Sequence, residues 1–274
     1  MTVESPLGAI ATLVEAARQS LLLLLRNRLF WLLLLGEVVA AIVAFGIAGS
    51  DRHRLDGHDL FCLLAWWFEC WVVLPWATMY LTVHAIHAEI EDRTFQYLFL
   101  RPVARAPLLL GKWLAAALAA TLLVGFGVLV LHVGVAGHPE IWTDGVERES
   151  LVAFLGLAGL GSLAYAACGC WFAATFRRPL VWAAIYVVGQ MISALLPVSS
   201  GVRALTVSDP LRRQLLSWVE PDAQLEQILW PTDRALRDDA VGSPVLALLL
   251  LALCLLALAL FSYCRAEYDS RERE

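Results

Sequence analysis

Long apolar runs separated by short charged breaks set the pattern of this chain. Runs at residues 29–48, 60–83, 108–135, 151–176, 180–196 and 244–263 reach or approach the length that crosses a bilayer, roughly 20 mainly apolar residues for a helix. They predict an all-α integral membrane protein with six transmembrane helices. Ahead of them, residues 6–26 repeat Ile10, Leu13, Val14, Ala17 and Leu21 at helical spacing, with Glu15, Arg18 and Gln19 on the other side. That stripe predicts an amphipathic helix lying along the inner interface. Arg26-Asn27-Arg28 divides it from the first span. Pro75 predicts a kinked or loosened stretch in the second span, because it removes one backbone donor. In the fourth, Ala158, Ser162, Ala166 and Cys170 recur every four residues and offer a smooth face to a neighbouring helix. Gly125 and Gly127 do the same in the third.

Composition agrees with the bilayer as solvent. The 274 residues are 60% hydrophobic and 16% charged, with a mean hydropathy of +0.70, too apolar for an ordinary soluble domain. The first apolar run is too long and starts too late for a cleaved leader, so it is expected to stay as an anchor. A net charge of −5 leaves no basic stripe to replace counterions on phosphates, so nucleic acid is not an expected partner. All six cysteines lie within or at the edges of apolar runs, which argues against a disulfide framework. Cys168-Gly169-Cys170 lacks the spacing of a zinc or redox pair.

Basic residues orient the spans. With both termini inside, the inner segments hold Arg18, Arg26, Arg28, Arg93, Arg101, Arg105, Lys112, Arg177, Arg178, Arg265, Arg271 and Arg273. The two short outer loops hold only Arg52, Arg54 and Arg148. The predicted location is the cell inner (cytoplasmic) membrane, multi-pass, with both ends cytoplasmic. Residues 197–243 differ in kind, because Asp209-Pro210 can open a helix with Leu211, Leu215 and Trp218 on one face. Pro221, Asp222 and Pro231 bound a second helix. The segment reads as a small helical extracytoplasmic cap between spans five and six.

The segment 86–107 interrupts the apolar runs with acids, bases and an amphipathic core. It predicts a short cytoplasmic helix with Ile90, Tyr97 and Leu98 on its apolar face and Glu89, Glu91, Asp92 and Arg93 setting its orientation. Pro102 ends it, and Arg105 is expected at the lipid headgroups. On amphipathicity alone, a plain connector between two spans is the favoured reading of these residues. Glu91, Thr94, Leu98, Pro102, Val103, Arg105, Gly111 and Lys112 fall in ungapped register with a pattern that runs from an acid through Gly-Thr and Pro-Val-Ser-Arg to Gly-Lys. Arg93 stands where that pattern has Gly, and Ala104 where it has Ser. The segment thereby resembles the cytoplasmic coupling helix of ATP-binding-cassette permeases of the type-2 exporter family.

The resemblance implies a permease subunit that moves a substrate by alternating access, driven by ATP hydrolysis in a separate subunit. It implies a cytoplasmic ATP-binding partner holding ATP and Mg, and a second permease copy or related chain, making a dimer. Gly111-Lys112 lacks the rest of a phosphate-binding loop, so the chain itself is read as non-catalytic, with no cofactor of its own. The alternative is a non-transporting membrane scaffold of an ATP-driven envelope machine, of the copper-enzyme assembly or gliding type, acting mechanically on a periplasmic partner docked on 197–243. That segment lacks His, Cys and Met, so it is not expected to bind copper itself.

Glu37 and Glu69 are the acids well inside spans, each on the order of 12–14 Å from its span end. Two readings stand: a protonated carboxyl hydrogen-bonded between helices, or a polar lining or proton-linked site. His84 and His87 lie at the opposite membrane face from His132, so no metal site is expected.

Overall fold

The computed structural model describes residues 6–48, 57–91, 105–135, 146–195, 206–219 and 243–265, and every element among them is a helix. Helices α1 (Pro6–Arg26) and α2 (Arg28–Ala48) part at Asn27. The Asn27 Oδ1 accepts the Leu29 backbone N–H at 3.0 Å and so caps α2. Next, α3 (Gly57–Leu64), a π-helical stretch Ala65–Val73 and α4 (Leu74–Glu91) follow end to end as one rod. The loosening expected at Pro75 falls in that π-helical stretch. The Leu74 N–H there reaches back five residues to the Glu69 carbonyl, ahead of a proline that donates nothing. The chain continues through α5 (Arg105–Val135), α6 (Val146–Thr175), α7 (Pro179–Leu195), α8 (Ser208–Trp218) and α9 (Pro244–Arg265).

The axis of the bundle is α5, whose Ala115, Ala116, Ala117, Ala119, Ala120, Gly125, Gly127 and Gly134 are all buried. Small residues let backbones approach, and three neighbours use them. A Cβ at position 111 would stand 2.7 Å from the Leu13 carbonyl oxygen and 2.8 Å from the Ala16 Cβ, so α1 crosses α5 there. At position 134 it would stand 2.7 Å from the Ala41 carbonyl oxygen of α2. On another face, the Trp113 indole N–H donates to the Leu163 carbonyl at 3.1 Å and ties α5 to α6. Further along, α6 meets α4 where a Cβ on Gly169 would come within 2.9 Å of the Thr82 Cβ.

Among the described residues, six helices are long and apolar enough to cross a membrane. The helix over 179–195, in the place of the expected fifth span, is a shorter apolar helix of 17 described residues, about 26 Å. Gly8–Arg26 meets the criterion by length and composition. Its polar positions serve one another: the Gln19 amide donates to Glu15 at 3.0 Å, and Arg18 lies 3.9 Å from the same carboxylate.

Helix α8, from the segment expected as a cap between spans five and six, packs closely on the bundle. A Cβ on Gly156 would lie 2.9 Å from the Trp218 ring, and one on Gly161 would lie 3.1 Å from Leu211 Cδ1. Those glycines stand ten and fifteen residues into α6, about 15 and 22 Å along it. The Val207 N–H donates to the Tyr186 hydroxyl of α7 at 3.2 Å. Helix α8 therefore packs beside α6 and α7, with Leu211 and Trp218 set against the α6 glycines and Val207, Leu211 and Leu215 buried. Its start also differs: Val207 is the first flanking residue with no side-chain cap, and Asp209 instead pairs with Arg213 at 2.7 Å. The rest of 197–243 lies outside the described residues, apart from 206, 219 and 243 at helix ends.

Gly111→Val should destabilise the detergent-solubilised protein by about 1–3 kcal/mol, since the added groups meet backbone of α1 that cannot rotate away. Gly36 has nothing within 4 Å of its added Cβ. Gly36→Ala should be neutral, or stabilising by up to about 1 kcal/mol, with thermal unfolding as the measurement for both.

Candidate functional site

The predicted coupling residues straddle the end of α4. Glu89, Ile90 and Glu91 belong to its last turn. Asp92, Arg93, Thr94, Tyr97, Leu98 and Pro102 lie outside the described residues. Arg105 opens α5, and its Nη1 donates to the Cys264 carbonyl at 3.3 Å. Cys264 is one residue from the end of α9, where backbone carbonyls lack helical partners and the helix dipole favours a cation. Arg265 itself lies over the Phe261 ring at 4.0 Å.

Below this end, Val83 and Ile86 of α4, Leu109 of α5, Cys170 and Ala173 of α6, and Ala259 and Tyr263 of α9 form one buried cluster. The Thr175 hydroxyl reaches Ser262 at 3.5 Å beside it. The two helices that carry the segment 92–104 are thus joined to α6 and α9 through packed side chains. Lys112 is buried in the same region, 1% exposed, and lies near Cys170. Neither the burial of Lys112 nor the Arg105 link follows from the register of the motif, because both depend on where α6 and α9 arrive.

Glu37 and Glu69 come together. Glu37 on α2 is 2% exposed and Glu69 at the centre of the π-helical stretch is wholly buried. A Cβ on Gly127 would lie 2.6 Å from Glu69 Oε1, and 2.7 Å from both Glu37 Oε2 and Glu69 Oε2. The two carboxyls therefore share one notch on α5, within hydrogen-bonding reach of each other. Reading the sequence placed both near mid-depth and noted Gly127 as a point of close approach, but did not join the three. A second buried polar contact was not anticipated: the Gln190 amide donates to the Tyr165 hydroxyl at 2.7 Å between α7 and α6.

Residues 22–199 match the family model described as ABC-2 family transporter protein. Among curated proteins, none matches the sequence.

Arg105→Ala should loosen α9 from α5 and lower stability in nanodiscs by about 1 kcal/mol, the scale of one partly exposed charged hydrogen bond. Arg105→Lys should recover part of that loss, and an unchanged unfolding midpoint for the alanine variant would show the contact to be idle.

Proposed function

Since the chain belongs to the ABC-2 transporter family, as a multi-pass membrane permease, we propose that it moves its substrate by alternating access powered by ATP hydrolysis in a separate subunit. That subunit binds ATP and Mg, and this chain contributes no catalytic group. Segment 86–107 is the coupling element, facing the cytoplasm with both termini, in the inner membrane. Two permease copies, or this chain and a related one, complete the assembly. The observation that carries the coupling role is the cluster beneath the segment. A push on 92–104 acts on α4 and α5, and through Ile86, Leu109 and Tyr263 it reaches α6 and α9 without a flexible joint.

The scaffold reading shares the ATPase and differs in its output, force on a periplasmic partner seated on 197–243. The position of α8 beside α6 favours transport over that reading, because Leu211 and Leu215 are used inside the bundle and are not offered to a partner. Transport into vesicles, set against binding of envelope proteins, separates the two.

Tyr97→Ala with Leu98→Ala should weaken binding of the ATPase. Loss of one anchor in a small interface costs about 2 kcal/mol, roughly thirtyfold in affinity. Glu91→Lys with Asp92→Lys should uncouple hydrolysis by misplacing charge. Membrane insertion should survive both. Normal binding and stimulation with all four positions changed would leave the segment a mere connector.

A further inference from the structure

We propose that Glu37 and Glu69 jointly bind a proton, as a carboxyl–carboxyl hydrogen bond that fastens α2 to the rod formed by α3, the π-helical stretch and α4. Both carboxyls converge on one glycine of α5. Glu37 Oε2 and both Glu69 oxygens have no hydrogen-bond donor among the described residues, although both side chains are almost wholly buried. Bare oxygens in that setting leave the desolvation of the pair uncompensated. A proton between them supplies the missing donor.

Among the described residues, the neighbouring elements place no cation against the pair. Cys70 adjoins Glu69 on its own stretch, and the Tyr165 hydroxyl of α6 lies near Cys70. On α5, His132 is five residues beyond Gly127 and its ring packs on Phe61 at 5.4 Å between centroids. Lys112 is fifteen residues back along the same helix, about 22 Å away. On α3, His58 faces Cys62 at 3.7 Å, with Asp59 beside it. On α2, Arg28 stands nine residues before Glu37, about 13 Å along the axis. Two unprotonated carboxylates would therefore face each other without a counterion, and their repulsion would act directly between α2 and the rod.

This link bears on the docking of helix α2. Its outward positions Leu32, Leu35, Val39, Ile42, Val43 and Phe45 are exposed. In lipid, such apolar surface gives no drive toward the bundle, so close packing and polar contacts decide the docking. Near its start Phe30 joins a buried cluster with Ala77 and Leu81 of α4, further along Gly134 seats α2 on α5, and the carboxyl pair adds a polar join to the rod between them. The inference concerns this chain alone and stands apart from the coupling role, so its readouts require no ATPase.

The test uses the full chain in lipid nanodiscs. Infrared difference spectra should contain a carboxylic-acid C=O stretch that shifts in deuterated buffer. Glu37→Gln and Glu69→Gln should each remove or shift it, because the two groups hold the proton together. Spin labels on Ile42→Cys of α2 and native Cys254 of α9, with Cys264 replaced by Ser, report the docking of α2. The pair Glu37→Gln with Glu69→Gln should keep the wild-type distance, since two amides bond without an added proton. Glu37→Ala with Glu69→Ala should broaden or lengthen it. Absence of the acid band, its indifference to both Gln variants, or its loss on adding sodium or potassium would overturn the proposal. An unmoved α2 in the double Ala variant would overturn the fastening role. If that variant does not fold, the infrared spectra of the Gln variants still decide whether the proton is there.

Discussion

In a bilayer, apolar helix surfaces gain little by exchanging lipid for one another, so a helical membrane protein is held where backbones come close and where polar groups meet. Here those places are gathered on α5. Gly111 admits the backbone of α1, Gly134 admits that of α2, and Gly127 admits two carboxyl groups. Trp113 adds a hydrogen bond to α6. Side chains at those glycines would push the neighbours out to where only lipid-like contacts remain. The faces left over point outward as exposed leucine, isoleucine and valine, which is ordinary for a surface whose solvent is hydrocarbon.

This arrangement separates two mechanical regions. At one end of the bundle, α4, α5, α6 and α9 share a packed cluster, and Arg105 pins the start of α5 to the end of α9. Movement imposed there is transmitted because close-packed side chains leave no slack. Helix α2, by contrast, has much of its surface exposed, and it is seated by Phe30 near its start, the notch at Gly134 and the acid pair. Helix α8 fills a third position, its Trp218 and Leu211 set against Gly156 and Gly161 of α6. A packed end where α4 and α5 flank the proposed coupling segment suits a machine that converts a push into rearrangement of its spans.

The helical, membrane-embedded nature of the chain was legible in the sequence because apolar run length maps directly onto bilayer thickness. The Pro75 distortion was legible for a similar reason, since the missing donor is a property of one residue. What escaped was set by tertiary partners. Residues 208–218 have the polar composition of a surface helix, yet glycines on α6, fifty residues or more earlier in the chain, admit Leu211 and Trp218. Arg105 looked suited to headgroups, and only the arrival of α9 supplies the carbonyl it bonds. The depth of Glu37 and Glu69 could be counted along their helices, but their meeting depends on how both helices rotate about α5. Spacing within a helix carries no information on that rotation.

The central claim is that this permease works through an ATPase carried on another chain. Mild detergent extraction from the native host, with the chain as bait and quantitative mass spectrometry of the eluate, tests it most directly. The account predicts an ATP-binding subunit recovered in fixed ratio to the permease and lost when Tyr97 and Leu98 are truncated. Recovery of the intact chain without any ATPase, across several detergents and in native nanodiscs, would contradict it.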